Sequence, residues 1–519
     1  MTLKELFLKN RPEGVSGKIE IALPVRIKKL HKVLQKAMAS FQDKTFVLPP
    51  EQVKELAVIL IEFAEDLYCD LGFWQAFEKY NSEIFNTPLP VVLEPGEMIS
   101  TMFSSKRIQF LLQHVYEKME PEILTGYSHS ELIELSEKVS EFLTGSFNRI
   151  PETSGIGALL SGTNAEAGDV KRKLLWLGVH SYLFRLSFAE YSEGIPYDDI
   201  EINTIDDFLC ARNTTLSGLG VVDILADCID ITAEERVELK SWYERHQSAY
   251  KIIKTGGKEI TALNIVTDQE YSIHTGAFTS QFKESNVVLG SLIPWRGEWY
   301  WSGAQQIYRD LPDEEIEDIK RIYLDKPAIL YRYRKDLLQK AVALNRIQYE
   351  RFIDYYGDDI AVFPNGREMA ASEKERSRYI FEKYLSKKEQ KAFIKKHNPK
   401  DGFPYYRYPE KLCNEDEGVA LFYDVDEGIE IAVFFDYILN AFKKKGNNLT
   451  EDETESIAGF IKAYNLSPKF VKRMIKDYGS ESIVKAFMIE KEDEFIIDYL
   501  LRKYKGQFYR NRYPSLTVH

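Results

Sequence analysis

The chain has 519 residues, 44% hydrophobic and 29% charged, enough for about two to four globular units at roughly 150 residues each. Its 68 basic and 81 acidic side chains leave a formal charge of −13, which favours solubility and opposes nonspecific capture by nucleic acid or anionic lipid. No uncharged run approaches the roughly eighteen residues of a spanning helix, and MTLKELFLKNRPEGVSG lacks the apolar stretch of a secretion signal, so a cytoplasmic protein with no membrane partner is expected.

Apolar residues recur at helical spacing from Pro24 to Ala39 and from Pro50 to Tyr80. In the second stretch Val53, Leu56, Ala57, Leu60, Ile61, Ala64, Leu67, Tyr68 and Leu71 form one broad stripe. After a Pro-rich break at Thr87–Gly96, further helices are predicted near Lys106–Met119, Ser130–Leu143 and Val170–Tyr191. Thr232-Ala-Glu-Glu235 is a capping box that should open a helix reaching to about Gln247.

At Ser248 the period changes from about 3.6 to 2. Tyr250–Thr255, Glu259–Val266, Glu270–Thr275, Asn286–Ile293 and Glu298–Ser302 read as five strands. Strands this short and this close together suit a small closed barrel, which leaves no exposed edges.

Asp310–Glu315 restores the helical pattern, which continues through Asp336–Tyr356, Glu373–Leu385 and Lys387–Lys396 to a loop at His397–Tyr408. Gly418–Tyr423 reads as a strand, the apolar run from Gly428 to Phe442 as a buried helix, and Thr450 and Ser467-Pro468 as two more helix starts. The expected fold is therefore α+β, predominantly helical, with one five-stranded barrel-like module inserted mid-chain. The expected domains are 1–247, 248–309 and 310–519, the last with a subdivision near 397–417.

The chemistry-bearing motifs are incomplete. Gly157-Ala-Leu-Leu-Ser-Gly162-Thr163 has the glycine spacing of a phosphate loop and no lysine after it, so a plain loop is expected. Gly126-Tyr-Ser128-His129-Ser130 lacks the second glycine of a nucleophile elbow. None of the eight histidines has a second histidine four residues away or a glutamate three residues before it, so no metal and no cofactor is expected. The four cysteines, Cys69, Cys210, Cys228 and Cys413, are too dispersed for a disulfide framework or a zinc knuckle and read as buried thiols. Glu62, Asp66 and Asp70, like Asp223, Asp227 and Asp230, share a helical face and are expected to be solvated. Asp424-Val-Asp-Glu-Gly428 departs from a calcium loop and is expected to be a turn.

Two segments stand out. Leu289 to Gly303 holds three of the six tryptophans; Trp299 and Trp301 should point to one side of a strand and Tyr300 to the other. Either the rings build the small core, or one face, with Trp295 and Arg296, presents an aromatic surface to a partner. Arg502-Lys-Tyr-Lys-Gly-Gln-Phe-Tyr-Arg-Asn-Arg-Tyr513 interleaves cations and rings without an acid. Its Arg502, Lys503, Lys505, Arg510 and Arg512 suit either phosphates and stacked bases or docking on an acidic surface of the chain itself; Tyr331-Arg-Tyr-Arg-Lys335 is a shorter version.

The Trp-containing helix at Glu234–Trp242, the strands after it and the W-R-G-E-W-Y-W-S-G run ending at Gly303, with Gly418-Val-Ala-Leu-Phe-Tyr-Asp424, resemble a module of uncharacterised bacterial proteins. Some of those relatives carry the zinc-binding SEC-C motif. This chain has neither its C-x-C nor its terminal Cys-His or Cys-Cys pair, so no zinc site follows from the resemblance. The expected function is a protein-interaction module using the Trp-rich strands, its partner another protein. The alternatives are nucleic-acid or nucleotide binding through the basic run, which the net charge disfavours, and a hydrolase with a dispersed site.

Overall fold

The computed structural model describes residues 1–120, 126, 129–196, 199–324, 327–489 and 494–516. They form two compact units, Met1–Arg321 with Phe487–Gln507 and Ile322–Ala486 with Phe508–His519.

The first unit opens with helices α1 (Leu3–Lys9), α2 (Leu23–Ala39), α3 (Pro50–Tyr68), α4 (Phe73–Phe85), α5 (Ser105–Met119) and α6 (Ser130–Ser146). It continues with α7 (Gly155–Leu160), α8 (Ala167–His180), α9 (Arg185–Tyr191), α10 (Ile202–Ala211), α11 (Val221–Cys228) and α12 (Ala233–Lys240). The stripe predicted on α3 is core: Leu56, Ala57, Leu60, Ile61 and Ala64 are fully buried. The periodic stretch from Pro50 to Tyr80 is two helices, because Gly72 at φ +93° turns the chain. Asp66 receives that turn, its carboxylate accepting from the backbone N–H groups of Phe73 (3.2 Å) and Trp74 (2.8 Å) at the start of α4.

Glu62 and Asp66 are therefore not solvated, contrary to the sequence reading; they are 4% and 2% exposed. Polar side chains from distant segments meet them. Arg185 donates to Glu55 (2.5 Å) and Glu62, and Arg11 makes a fork on Glu65 at 2.9 and 2.6 Å. The Ser154 hydroxyl donates to Glu65 (2.6 Å) and the Tyr182 hydroxyl to Asp66 (2.7 Å). On the other acidic face, Asp223 and Asp227 are half-buried, Asp227 lying 3.3–3.4 Å from Lys79, Arg236 and Lys240. Asp230 is exposed beyond the end of α11.

The capping box at Thr232 and Glu235 forms as predicted, though α12 stops at Lys240 and a short 3-10 turn leads into the barrel. The strands are β1 (His246–Gly256), β2 (Glu259–Asn264), β3 (Glu270–His274), β4 (Val287–Trp295) and β5 (Glu298–Tyr308). They close in the order β1-β2-β3-β5-β4, with β4 returning to β1. Every neighbour is antiparallel except β3 and β5, and a 3-10 helix at Gly276–Gln281 precedes β4. Arg296 (φ +53°) and Gly297 (φ +79°) make the two-residue turn between β4 and β5, the backbone a right-twisted hairpin requires. Tyr250, Ile252, Ile260, Tyr271, Ile273, Val288 and Leu292 fill the interior. Helix α13 (Asp313–Leu324) follows.

In the second unit, α14 (Pro327–Tyr333), α15 (Lys335–Tyr356), α16 (Gly366–Tyr384), α17 (Lys387–His397) and α18 (Glu410–Cys413) accompany β6 (Ile360–Phe363), β7 (Val419–Asp424) and β8 (Gly428–Val433). The sheet is antiparallel in the order β6-β7-β8. Asp424–Gly428 is the β7–β8 turn, as expected. Gly428–Val433 is a strand rather than the start of a helix; the helix α19 begins at Phe435 and ends at Lys444. Helices α20 (Glu451–Lys462), α21 (Pro468–Tyr478) and α22 (Glu481–Ala486) follow. The last helix, α23 (Glu494–Lys505), belongs to the first unit, where Tyr499 meets the rings of Phe85 (5.7 Å) and Phe110 (6.4 Å). Among the described residues no helix is long and apolar enough to cross a membrane.

Candidate functional site

The Trp-rich hairpin places its rings as alternation dictates. Trp299 lies on His246 (4.3 Å) and Tyr271 (5.0 Å), and Trp301 on Tyr250 (5.5 Å) and Phe282 (5.9 Å). Both are packed against the barrel core and partly buried. Tyr300 points to the other side, where its hydroxyl donates to Glu298 (2.6 Å) and its ring is 5.3 Å from His274.

Trp295 is fully buried, its Nε1 donating to the Asn164 carbonyl (2.9 Å) and its ring edge-on to Trp242 at 5.9 Å. Arg296 is held by α12: its Nε is 2.7 Å from Glu235, and its backbone N–H donates to Glu238 at 2.5 Å. In small five-stranded Greek-key barrels of the oligonucleotide/oligosaccharide-binding type, ligands commonly use the surface of strands 2 and 3 with the loops joining strands 1–2 and 4–5. Here α12 already occupies the β4–β5 loop. The fold alone assigns no ligand.

The open surface beside the tryptophans lies between the barrel and two helices. A groove of about 370 Å³ is lined by Lys171, Arg172 and Leu175 of α8, Ile202, Ile205, Asp206 and Leu209 of α10, and Trp301, Ser302 and Gly303 of β5. Ile202 is 64% and Leu175 41% exposed, although both line this concave surface. Its floor is rigid. Both Asp206 oxygens accept from the Ser302 hydroxyl (2.9 and 2.8 Å), and Lys171 and Arg245 pair with the same carboxylate. Although burial opposes its charge, those two cations hold Asp206 below the usual carboxylate range. Asn203 also accepts from the Ala304 N–H (2.9 Å).

One cation stands out in the groove: Arg172, exposed among its lining residues. The Trp301 Nε1–H lies beneath the surface, buried with no acceptor among the described residues, a cost of roughly 1–3 kcal/mol for an unsatisfied donor.

The basic run is divided between the units. Lys503 is buried on Glu117 (2.8 and 2.6 Å), Lys505 is fully buried, and Arg502 is half-buried in the first unit. Arg510 is half-buried in the second unit, where exposed Arg512 makes a fork on Glu427 (3.0 and 2.5 Å). In the shorter version, Tyr331 is buried and its hydroxyl donates to the Leu516 carbonyl (2.5 Å). The glycine loop after α7 turns its carbonyls, not its N–H groups, inward: Lys173 donates to Gly162 (2.6 Å) and Thr163 (3.2 Å). That polarity is the reverse of a phosphate cradle. Of Gly126–Ser130, Tyr127 and Ser128 lie outside the described residues. Burial pushes the Cys69 thiol up to about 12 and raises Cys210 and Cys228 as well, so none of these three is activated as a nucleophile.

Sequence reasoning placed the hairpin and missed the groove. Leu175 and Ile202 come from separate helices, and nothing local marks an apolar helix position as exposed.

A family model described as "Protein of unknown function (DUF3843)" matches residues 35–206, the stretch that runs from α2 to the middle of α10 and includes the helical lining of the groove apart from Leu209. Over those residues the chain resembles proteins of unknown function. Neither the curated proteins nor the solved structures contain a match.

Proposed function

We propose that the protein is a protein-interaction module, and that the groove between α8, α10 and β5 receives a short apolar segment carrying an acidic residue. The observation that carries this reading is the exposure of Ile202 and Leu175 around a concave, rigid floor. Exposed apolar side chains gathered in a cleft, unlike isolated ones, favour burial against a partner. The acidic residue follows from charge. Asp206 is already neutralised by Lys171 and Arg245, which leaves Arg172 as the groove cation directed to an incoming carboxylate.

Of the Trp-rich hairpin only Trp301 lines this groove, with Ser302 and Gly303 after it, while Trp295, Arg296, Trp299 and Tyr300 lie outside it; the neighbouring helices supply the rest of the contact. Nucleic-acid binding has less support. Lys503 and Arg512 are engaged by Glu117 and Glu427, and Glu259, Glu270 and Glu298 are exposed on β2, β3 and β5.

The test uses the full chain with I202D, L175D and R172E, all at exposed positions where the fold should tolerate the change. Capture from a lysate of the organism that makes the protein should recover a discrete partner with the wild type. The three variants should each lose it, and nuclease treatment should leave it in place. Hydrogen exchange with the purified partner should then slow at 171–175, 202–209 and 301–303. A partner retained by all three variants, or protection elsewhere, overturns the assignment.

A further inference from the structure

On the opposite side of β5 from the barrel core, three adjacent strands bring together Glu259, His274 and Glu298. Glu259 of β2 is the register partner of His274 of β3, and His274 is the partner of Tyr300 of β5. Glu298 lies two residues before Tyr300, on the same face. One ligand-type atom from each of the three residues lies within 4.8 Å of the other two. We infer that Glu259, His274 and Glu298 form a binding site for a borderline divalent cation of the zinc type.

Three observations support this. The set contains an imidazole as well as two carboxylates. Magnesium and calcium sites are built from oxygen, whereas zinc takes nitrogen and carboxylate oxygen together. The two carboxylates also converge without a cation of the chain between them. Among the described residues neither Glu259 nor Glu298 has an ion pair with lysine or arginine, and His274 Nδ1 lies 3.8 Å from Glu298. By contrast Glu62, Glu65, Asp206 and Asp227, in the other acidic clusters of this unit, each have an arginine or lysine partner.

Finally, each carboxylate is steadied by a neighbouring hydroxyl. Ser272 donates to Glu259 at 2.8 Å and Tyr300 donates to Glu298 at 2.6 Å, the outer support that orients carboxylate ligands around a metal. The backbone is fixed by strand pairing, so side-chain rotation alone can draw the ligand atoms to the roughly 2.0–2.2 Å bond lengths zinc needs. Three protein ligands leave a fourth position for water or for an anionic oxygen of a bound molecule.

Zinc chloride titrated calorimetrically into the metal-free full chain should report one site that E259Q, H274A and E298Q each weaken at least tenfold. Zinc should raise the melting temperature of the wild type and not of these variants, while H397A, in the second unit, should behave as wild type. E259Q is nearly isosteric at an exposed position, so its folded state is checked directly by circular dichroism. Cobalt(II) should give the intense visible bands of a four-coordinate site, lost in H274A. Equal zinc affinity in the wild type and the three variants, or no stoichiometric binding by the wild type, overturns the assignment.

Discussion

The inward face of helix α3 and the interior of the β-barrel are both buried in the first unit, and they are buried by opposite means. The barrel interior is apolar and aromatic, closed by residues within 246–308. The inward face of α3 carries Glu62, Glu65 and Asp66, matched by Arg11, Ser154, Tyr182 and Arg185 from other parts of the chain. An apolar core tolerates loss of one contact in proportion to the area lost. A charged core depends on pairing, because each carboxylate left without its partner must be desolvated alone.

The sharpest way to break that contrast is Arg185→Met. It keeps much of the volume, removes the partner of Glu55 and leaves Glu62 with Arg11 alone, at 3.9 Å, so urea unfolding should show a loss of about 3 kcal/mol. A loss under about 1 kcal/mol would mean that the pairing contributes little beyond packing.

The next effect is pH-dependent. Burial raises Asp66 from its usual value to about 6, even though it accepts three hydrogen bonds, and burial raises Glu62 in the same direction against Arg185 and Arg11. Between about pH 4 and 6 the folded chain keeps a proton on Asp66 that the unfolded chain has released. The stability contributed by that proton is present at about pH 4 and is lost as pH rises through 6. Asp66→Asn cannot ionise, so its stability relative to wild type should rise across this window, by on the order of 3 kcal/mol. A pH-independent difference would show that Asp66 titrates normally.

The smallest effect belongs to the barrel. Trp301→Phe removes ring area and also the unsatisfied Nε1–H, two changes of opposite sign, so thermal unfolding should shift by no more than about 1 kcal/mol. A loss of several kcal/mol would mean that the indole N–H is bonded in the folded protein.

The same contrast explains what the sequence disclosed. Strand alternation is local, so the five strands, the opposed directions of Trp299 and Tyr300 and the Thr232 capping box were readable from neighbouring residues. The parallel contact of β3 with β5 was not, because closure pairs residues that no local pattern links. The i, i+4 acids of α3 looked solvated for a similar reason: the arginines that allow their burial lie about 50 residues before and 120 residues after them. Gly428–Val433 read as helix because it joins an unbroken apolar run to Phe442, where hydrophobicity cannot distinguish strand from helix. The groove and the Glu259–His274–Glu298 cluster depend on tertiary neighbours in the same way.

The placement of α23 has a consequence for how the protein is made. Its partners Phe85, Phe110 and Glu117 are translated early, but α23 follows Ile322–Ala486, the main segment of the second unit, so the first unit waits roughly 190 residues beyond Arg321 for its final helix. At ribosomal speeds of about 5–20 residues per second that delay is about 10–40 s. For that interval the nascent first unit presents an open apolar seam, and Ile322–Ala486 of the second unit must be synthesised before the seam can be closed.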